Sequence, residues 1–269
     1  MLNLKLVLKP LVLAAVMVAV FIAVFEFPAM QRMYVRHNVA ERVFEIKGKP
    51  NGGGGTGFQV EAPSGDTYIV TNSHICEFAS KDSGDANFLL VRKGEHWMKR
   101  RILEVSGESD LCLVEAWPSL SGLKLGDSVR VGEMVSAVGH PHLGPTTMSS
   151  GEVVAWTDTE IPHHIMPTGD AKLDKLLRVS DEPCNQPKNA IVKKMMYFMG
   201  FIPLGEAPIC IVKEHKAIQT NVVIFGGNSG SPLVDSWGNV VGVVFASDTG
   251  TNWGFAVNLK HLKLLLKDF

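Results

Sequence analysis

FGGNSGSPLVDSWGNVVGVVFA, residues 225–246, decides how the chain is read. Its second half runs through β-branched apolar residues behind the turn signal Trp237-Gly238-Asn239, as a strand entering a core does. Its first half sets Ser229 among Gly226, Gly227 and Gly230, residues that let a backbone turn sharply and aim successive N–H groups into one small space. A serine hydroxyl attacks nothing at neutral pH without a base, a group to orient the base and donors for the developing oxyanion. Either Ser229 is a nucleophile, with a histidine and a carboxylate in fitting settings elsewhere, or it is one of several serines in a glycine-rich hairpin.

Upstream and downstream of this stretch the pattern is one of short strand-like segments. TYIVTN (67–72), FLLVRK (88–93), LCLVEA (111–116), VSAVGH (135–140), GEVVAW (151–156), AIQTNVVIF (217–225), GNVVGVVFA (238–246) and NWGFAVN (252–258) are separated by Gly, Asp, Asn and Pro. That spacing predicts an all-β barrel or sandwich. GGGGTGFQV, from Gly52, reads as a close-approach backbone feeding a strand, and residues 31–49 as a linker with a first strand. At the end, Asn258 is placed to cap a short helix whose Leu259, Leu262, Leu265 and Leu266 share one face. Residues 157–216 break the rhythm with prolines, the mixed-charge DAKLDKLLR and the apolar MMYFMGFIPL. A connection this long in a compact domain is usually functional or mobile. Core packing and a clamp over a cleft are both open readings of its apolar part.

Two other stretches supply the missing chemistry. His74 sits in IVTNSHICEF, where an apolar run ends in Thr-Asn-Ser, so it falls at a strand end or in the next turn. Asp110 sits in GESDLCLVEA, at the entrance of a core strand, where its oxygens need donors and a histidine N–H is a good one. The chain order His74, Asp110, Ser229 is one that convergent triads use.

TNSHIC, SDLCLVEA and GGNSGSPLV resemble the three motifs of the chymotrypsin-fold serine proteases, and most closely those of the HtrA (Deg) branch. GTGFQV, AVGHP, SSGEVVAW, AIQTN, GNVVGVVFA and NWGFAVN extend the likeness to residues 50–160 and 217–258. The resemblance implies a double six-stranded β-barrel with the site in the cleft between barrels. In it His74 is the general base, Asp110 its orienting acid and Ser229 the nucleophile. The N–H groups of Gly227 and Ser229 form the oxyanion hole, and Val243, Val244, Phe245 and Ala246 pair with substrate backbone as an added strand. Val223, with Val222 and Ile224, falls where the base of the specificity pocket is expected, which predicts small or medium apolar residues before the scissile bond. No cofactor is implied.

The departures are specific. Ser231 replaces a second glycine, and Gly226 replaces the proline usual in the branch. Cys76 follows the histidine as in secreted trypsins, but the glycine-rich strand holds no cysteine to be its partner, so the vertebrate-type bridge is absent. The spacing from Asp110 to Ser229 is longer than the family's, and no PDZ-like stretch follows.

The resulting division is residues 1–30 as a membrane anchor or signal, 31–134 as the first barrel and 135–258 as the second barrel with its long insertion. Residues 259–269 form the terminal helix. The anchor reading comes from residues 11–25, LVLAAVMVAVFIAVF, an apolar run preceded by Lys5 and Lys9. With its flanks it nears the roughly 20 residues a bilayer core needs. Phe25, Phe27 and Met30 disfavour cleavage, so an uncleaved single-pass anchor through residues 10–30 is expected, with export of the domain out of the cytosol; a cleaved signal is the alternative.

Net charge is −1 with a pI near 6.8, and the Lys and Arg residues are scattered, so no nucleic-acid footprint is indicated. Of the four cysteines, Cys184 and Cys210 bracket the irregular segment and are the first pair expected to bridge, with free buried thiols as the alternative. His140, His142, His163 and His164 lack companion ligands at metal spacing and read as solvated loop histidines. Expected partners are protein or peptide substrates, the membrane and, as in HtrA relatives, other copies of the chain. The rival function is a catalytically inactive protease-fold protein that holds extended peptides in the same cleft.

Overall fold

The fold comes from a computed structural model, which describes residues 4–21, 27–48, 52–77, 88–106, 109–163, 210–248 and 250–269. Helices α1 (Leu4–Phe21) and α2 (Phe27–Ala40) precede twelve strands. Strands β1 (Val43–Lys47), β2 (Gly54–Glu61), β3 (Thr67–Thr71), β4 (Phe88–Lys93), β5 (His96–Ser106) and β6 (Leu111–Glu115) close into one barrel in the order β1-β2-β3-β6-β5-β4. Strands β7 (Met134–Gly139), β8 (Thr147–His163), β9 (Cys210–Thr220), β10 (Pro232–Val234), β11 (Val240–Asp248) and β12 (Trp253–Asn258) close a second in the order β10-β11-β12-β9-β8-β7. The short helix α3 (Ser73–Cys76) follows β3, and α4 (Leu259–Leu265) follows β12.

Strands at the junction read as unbroken apolar runs because both of their faces are buried. In β6, Cys112 and Val114 point into the first barrel beside Phe44, Ile46 and Ile69. Leu111 and Leu113 point the other way, into a cluster with Phe58, Val70, Val138, Val243, Phe245 and Val257. That second cluster joins the barrels, so the cleft is floored by packed side chains. Each such side chain stabilises by about 1.5–3 kcal/mol. The second barrel is filled by Val135, Ile218, Leu233, Val241 and Val244.

Asn258 caps α4 as its position in the sequence suggests: its Oδ1 accepts from Lys260 N at 2.9 Å. Leu259, Leu262 and Leu266 are buried in the inter-barrel cluster. Helix α2 was not legible as one. It buries Val35 and Val39 in the same cluster, and Gln31 Nε2 donates to Ser236 O at 2.8 Å, which seats the helix against the β10–β11 turn. The two ends of the stretch expected to be an insertion are strand. Glu160↔Glu214 and Pro162↔Ile211 continue the β8–β9 pairing well beyond the barrel, and residues 164–209 lie outside those described.

The cysteines form a bond that the sequence did not single out. Cys76 bonds to Cys112, and both are fully buried. The register Thr71↔Cys112 across β3 and β6 brings the two together. Closing a loop with a sequence separation of 36 removes unfolded-state entropy equivalent to about 4 kcal/mol in the chain-entropy account. The expected Cys184–Cys210 pair lies outside the described residues. The expected membrane anchor overlaps α1; among the described residues no helix is long and apolar enough to cross a membrane.

Candidate active site

Asp110 opens β6 with φ 51°, a left-handed conformation that Asp tolerates better than most side chains. The turn drives its carboxylate inward, where it is fully buried. Three donors from α3 meet it: Ser73 Oγ at 2.8 Å and His74 N at 3.1 Å, both to Oδ1, and His74 Nδ1, which is 2.9 Å from Oδ2. Asn72 Nδ2 adds a bond to Asp110 O at 2.9 Å. A carboxylate only accepts, so His74 Nδ1 carries the proton and the lone pair of the neutral ring sits on Nε2. The Cys76–Cys112 bond ties the two segments together two residues past each of these side chains.

The serine turn converges on the same place. A Cβ on Gly55 of β2 would lie 2.6 Å from Ser229 O and 2.8 Å from Ile75 Cδ1, so only a glycine lets α3 and the serine turn close on β2. Ser229 is half-buried, and its Oγ donates to Phe245 O at 3.4 Å. Asn228 N donates to Phe225 O at 3.0 Å, closing a four-residue turn whose third residue, Gly227, has φ 91°. That is the signature of a type II turn. Gly226 O accepts from His142 N at 2.6 Å; because the peptide is trans, the Gly227 N–H points the opposite way. Neither Gly227 N nor Ser229 N donates to a partner among the described residues.

The residues expected to pair with a substrate strand divide. Val243 and Val244 already have neighbours on both edges: Val243 faces Pro232 and Val257, while Val244 faces Ala256, donates to Ser231 O and accepts from Gly230 N. From Phe245 onward β11 has β12 on one side and no strand on the other among the described residues. The added-strand expectation therefore moves along β11, to Phe245 and Ala246 and away from Val243 and Val244. Val223 is 46% exposed and stands at the rim, whereas Ile224 turns inward, 2.7 Å from where a Cβ of Gly254 would be. Phe225, at the same rim, lies tilted against His142 with ring centroids 5.7 Å apart.

His140 is not a solvated loop residue. It is buried, its Nδ1 donates to Gly144 O at 2.8 Å, and its Nε2 accepts from Thr146 Oγ1 at 3.3 Å. Burial holds its imidazole below the usual histidine range, with the bond to Gly144 pulling the other way. Among the described residues no three His, Cys, Asp or Glu side chains gather as a metal site; His164 lies outside them.

Two closed six-stranded barrels with a buried His–Asp pair and a glycine-flanked serine converging between them define a protein of the chymotrypsin-like fold. Residues 55–180 match the sequence model of the trypsin-like peptidase domain, a span that holds His74 and Asp110 and stops short of Ser229. The chain is thus similar to the trypsin-like peptidases over that span, and to the HtrA (Do-like) branch among them. It is 25% identical over 219 residues to a probable serine protease do-like from Buchnera aphidicola subsp. Acyrthosiphon pisum, a match covering 78% of this chain and 34% of that protein. The chain thus spans about a third of that curated relative's length.

Among solved structures, the active form of the Rv3671c protease from M. tuberculosis superposes with a TM-score of 0.62 at 18% identity, covering 89% of this chain and 86% of that one. Deg5 superposes at 0.57 and 21% identity, covering 89% and 93%. At these identities the superpositions establish the fold.

Proposed function

We propose that the protein is a serine endopeptidase in which Ser229 attacks the scissile carbonyl, His74 takes and returns the proton, and Asp110 holds the imidazole. The observation that carries the reading is the Nδ1–H of His74 bound to a buried carboxylate, which leaves the basic lone pair on Nε2, while Gly55 lets the serine turn close on β2 beside α3. The Gly227 and Ser229 N–H groups are the donors for the oxyanion. A fluorophosphonate probe is expected to label the folded chain once, with the label mapped by peptide sequencing to Ser229. Label on another residue, or none, ends the reading.

The pocket argues for what precedes the scissile bond. Residues 217–227, AIQTNVVIFGG, hold no acid, and Ile224 faces Gly254. A cationic side chain there would lose its hydration without a partner, which costs several kcal/mol. Peptide anilides ending in Val or Ala are expected to exceed the Arg equivalent in kcat/KM by roughly 10²-fold or more. Equal or faster cleavage after Arg would refute the assignment.

The same proposal places the domain outside the cytosol, tethered through residues 10–30. The apolar run of residues 11–25 and the Cys76–Cys112 bond support it, since disulfides persist in oxidising compartments. The full chain is expected to stay in the membrane pellet after alkaline carbonate extraction; release into the supernatant would leave the tether without support.

A further inference from the structure

Gly226 and Gly227 stand next to each other in the turn that carries Ser229, and neither has a Cβ to restrict it. The peptide groups there rotate freely unless something outside the turn holds them. One group that holds them lies on the other barrel, the side chain of Thr56 of β2.

Thr56 is fully buried, and its three polar groups make four hydrogen bonds, three of them across the junction. Its N–H donates to Ser229 O at 2.8 Å. Its Oγ1 donates to Gly227 O at 2.7 Å and accepts from His140 N at 2.9 Å. Its carbonyl accepts from Thr71 Oγ1 at 2.7 Å, three residues before His74. The direction of the hydroxyl is dictated. His140 N is a backbone donor, so Oγ1 must accept there, and its single proton is left for Gly227 O.

The consequence for the turn follows from the geometry of the peptide. Gly227 O and Asn228 N belong to one planar group, held on one side by Thr56 Oγ1 and on the other by Phe225 O. Rotating that plane breaks both bonds at once. The next plane but one, carrying Ser229 O, is held by Thr56 N. The plane carrying Gly227 N is held through Gly226 O by His142 N, in the same short turn whose His140 N bonds to Thr56. Gly230, at φ 86°, allows the fit: a Cβ there would overlap Thr56 O and Thr71 Oγ1.

We propose that Thr56 is a positioning residue for the oxyanion hole, its hydroxyl locking the glycine turn so that the Gly227 and Ser229 N–H groups face the substrate. This rests on the peptidase reading above. Thr56 touches no reacting atom; it acts through the two backbone carbonyls it binds.

The test is the rate of fluorophosphonate labelling as a function of probe concentration, which separates probe binding (KI) from phosphonylation (kinact). The full chain is used, at a temperature below each variant's unfolding transition. Thr56→Val keeps the shape and removes the hydroxyl. Its kinact is expected to fall by roughly tenfold to a hundredfold, approaching the loss of one hole donor, with KI unchanged. Thr56→Ser keeps the hydroxyl and is expected to stay within about threefold of the parent, a rescue that mere packing would not give. If Thr56→Val does not fold, Thr56→Cys, whose thiol is a poor donor, takes its place.

Labelling of Thr56→Val at the parent kinact, or a fall in Thr56→Ser as deep as in Thr56→Val, overturns the proposal and leaves the peptidase reading standing. A parent chain that takes no label overturns the peptidase reading and this proposal with it.

Discussion

Ser229→Ala is expected to lower kcat on a Val-ending peptide anilide by roughly 10⁶-fold while leaving the melting temperature close to that of the parent. The two halves of the expectation come from different atoms of the same residue. In the proposed mechanism the hydroxyl is the nucleophile, and without it only binding and the oxyanion donors remain to accelerate the reaction. The structural contacts of Ser229 run through its backbone: its carbonyl accepts from Thr56 N, and among the described residues its half-buried Oγ makes only a long bond to Phe245 O. Alanine keeps that backbone. Steady-state kinetics beside a thermal melt reads both halves, and residual turnover within about tenfold of the parent would remove Ser229 from the mechanism.

Asp110→Asn is expected to cost roughly 10⁴ in kcat, for a reason of proton placement. Every group facing the carboxylate is a donor: Ser73 Oγ, His74 N and His74 Nδ1. An amide offers one acceptor and one donor to that set. If its NH₂ faces Nδ1, the imidazole moves its proton to Nε2 and can no longer accept one from Ser229. Because Asp110 is fully buried, the mispaired donors also cost about 1–3 kcal/mol of stability, so here the melting temperature falls together with the rate. Kinetics and a melt on the same preparation check this. A kcat within about tenfold of the parent would mean that Asp110 does not set the tautomer.

The barrels were legible where strands bury both faces. In β3, β6, β11 and β12 the apolar runs announce themselves whatever their partners are. β5 escaped notice because its HWMKRRILEVS is mostly polar at its solvent-facing start. Helix α2 escaped because only Val35 and Val39 carry its buried stripe among charged neighbours. The His–Asp pair was legible because each residue sits where an apolar run begins or ends. Two features of the site depend on distances that no local pattern encodes. Cys76 meets Cys112 through the register of β3 on β6, and spacing alone does not reveal such a connectivity. Val243 and Val244 look as available as Phe245 until β10 is seen to cover the outer edge of Val243, and Gly230 and Ser231 that of Val244. The same holds for His140, whose burial depends on Thr146 and Gly144 folding back over it.

A peptidase lives beside its own hydrolytic chemistry, and its most exposed connections are the first targets. Any single cut in the chain between Cys76 and Cys112 leaves the two fragments covalently joined by their sulfurs. The joint lies within two residues of both His74 and Asp110, so the proposed base and its carboxylate stay attached to each other even when the polypeptide that links them is broken. The bridge thus makes half of the site indifferent to nicking in the connection most able to separate it.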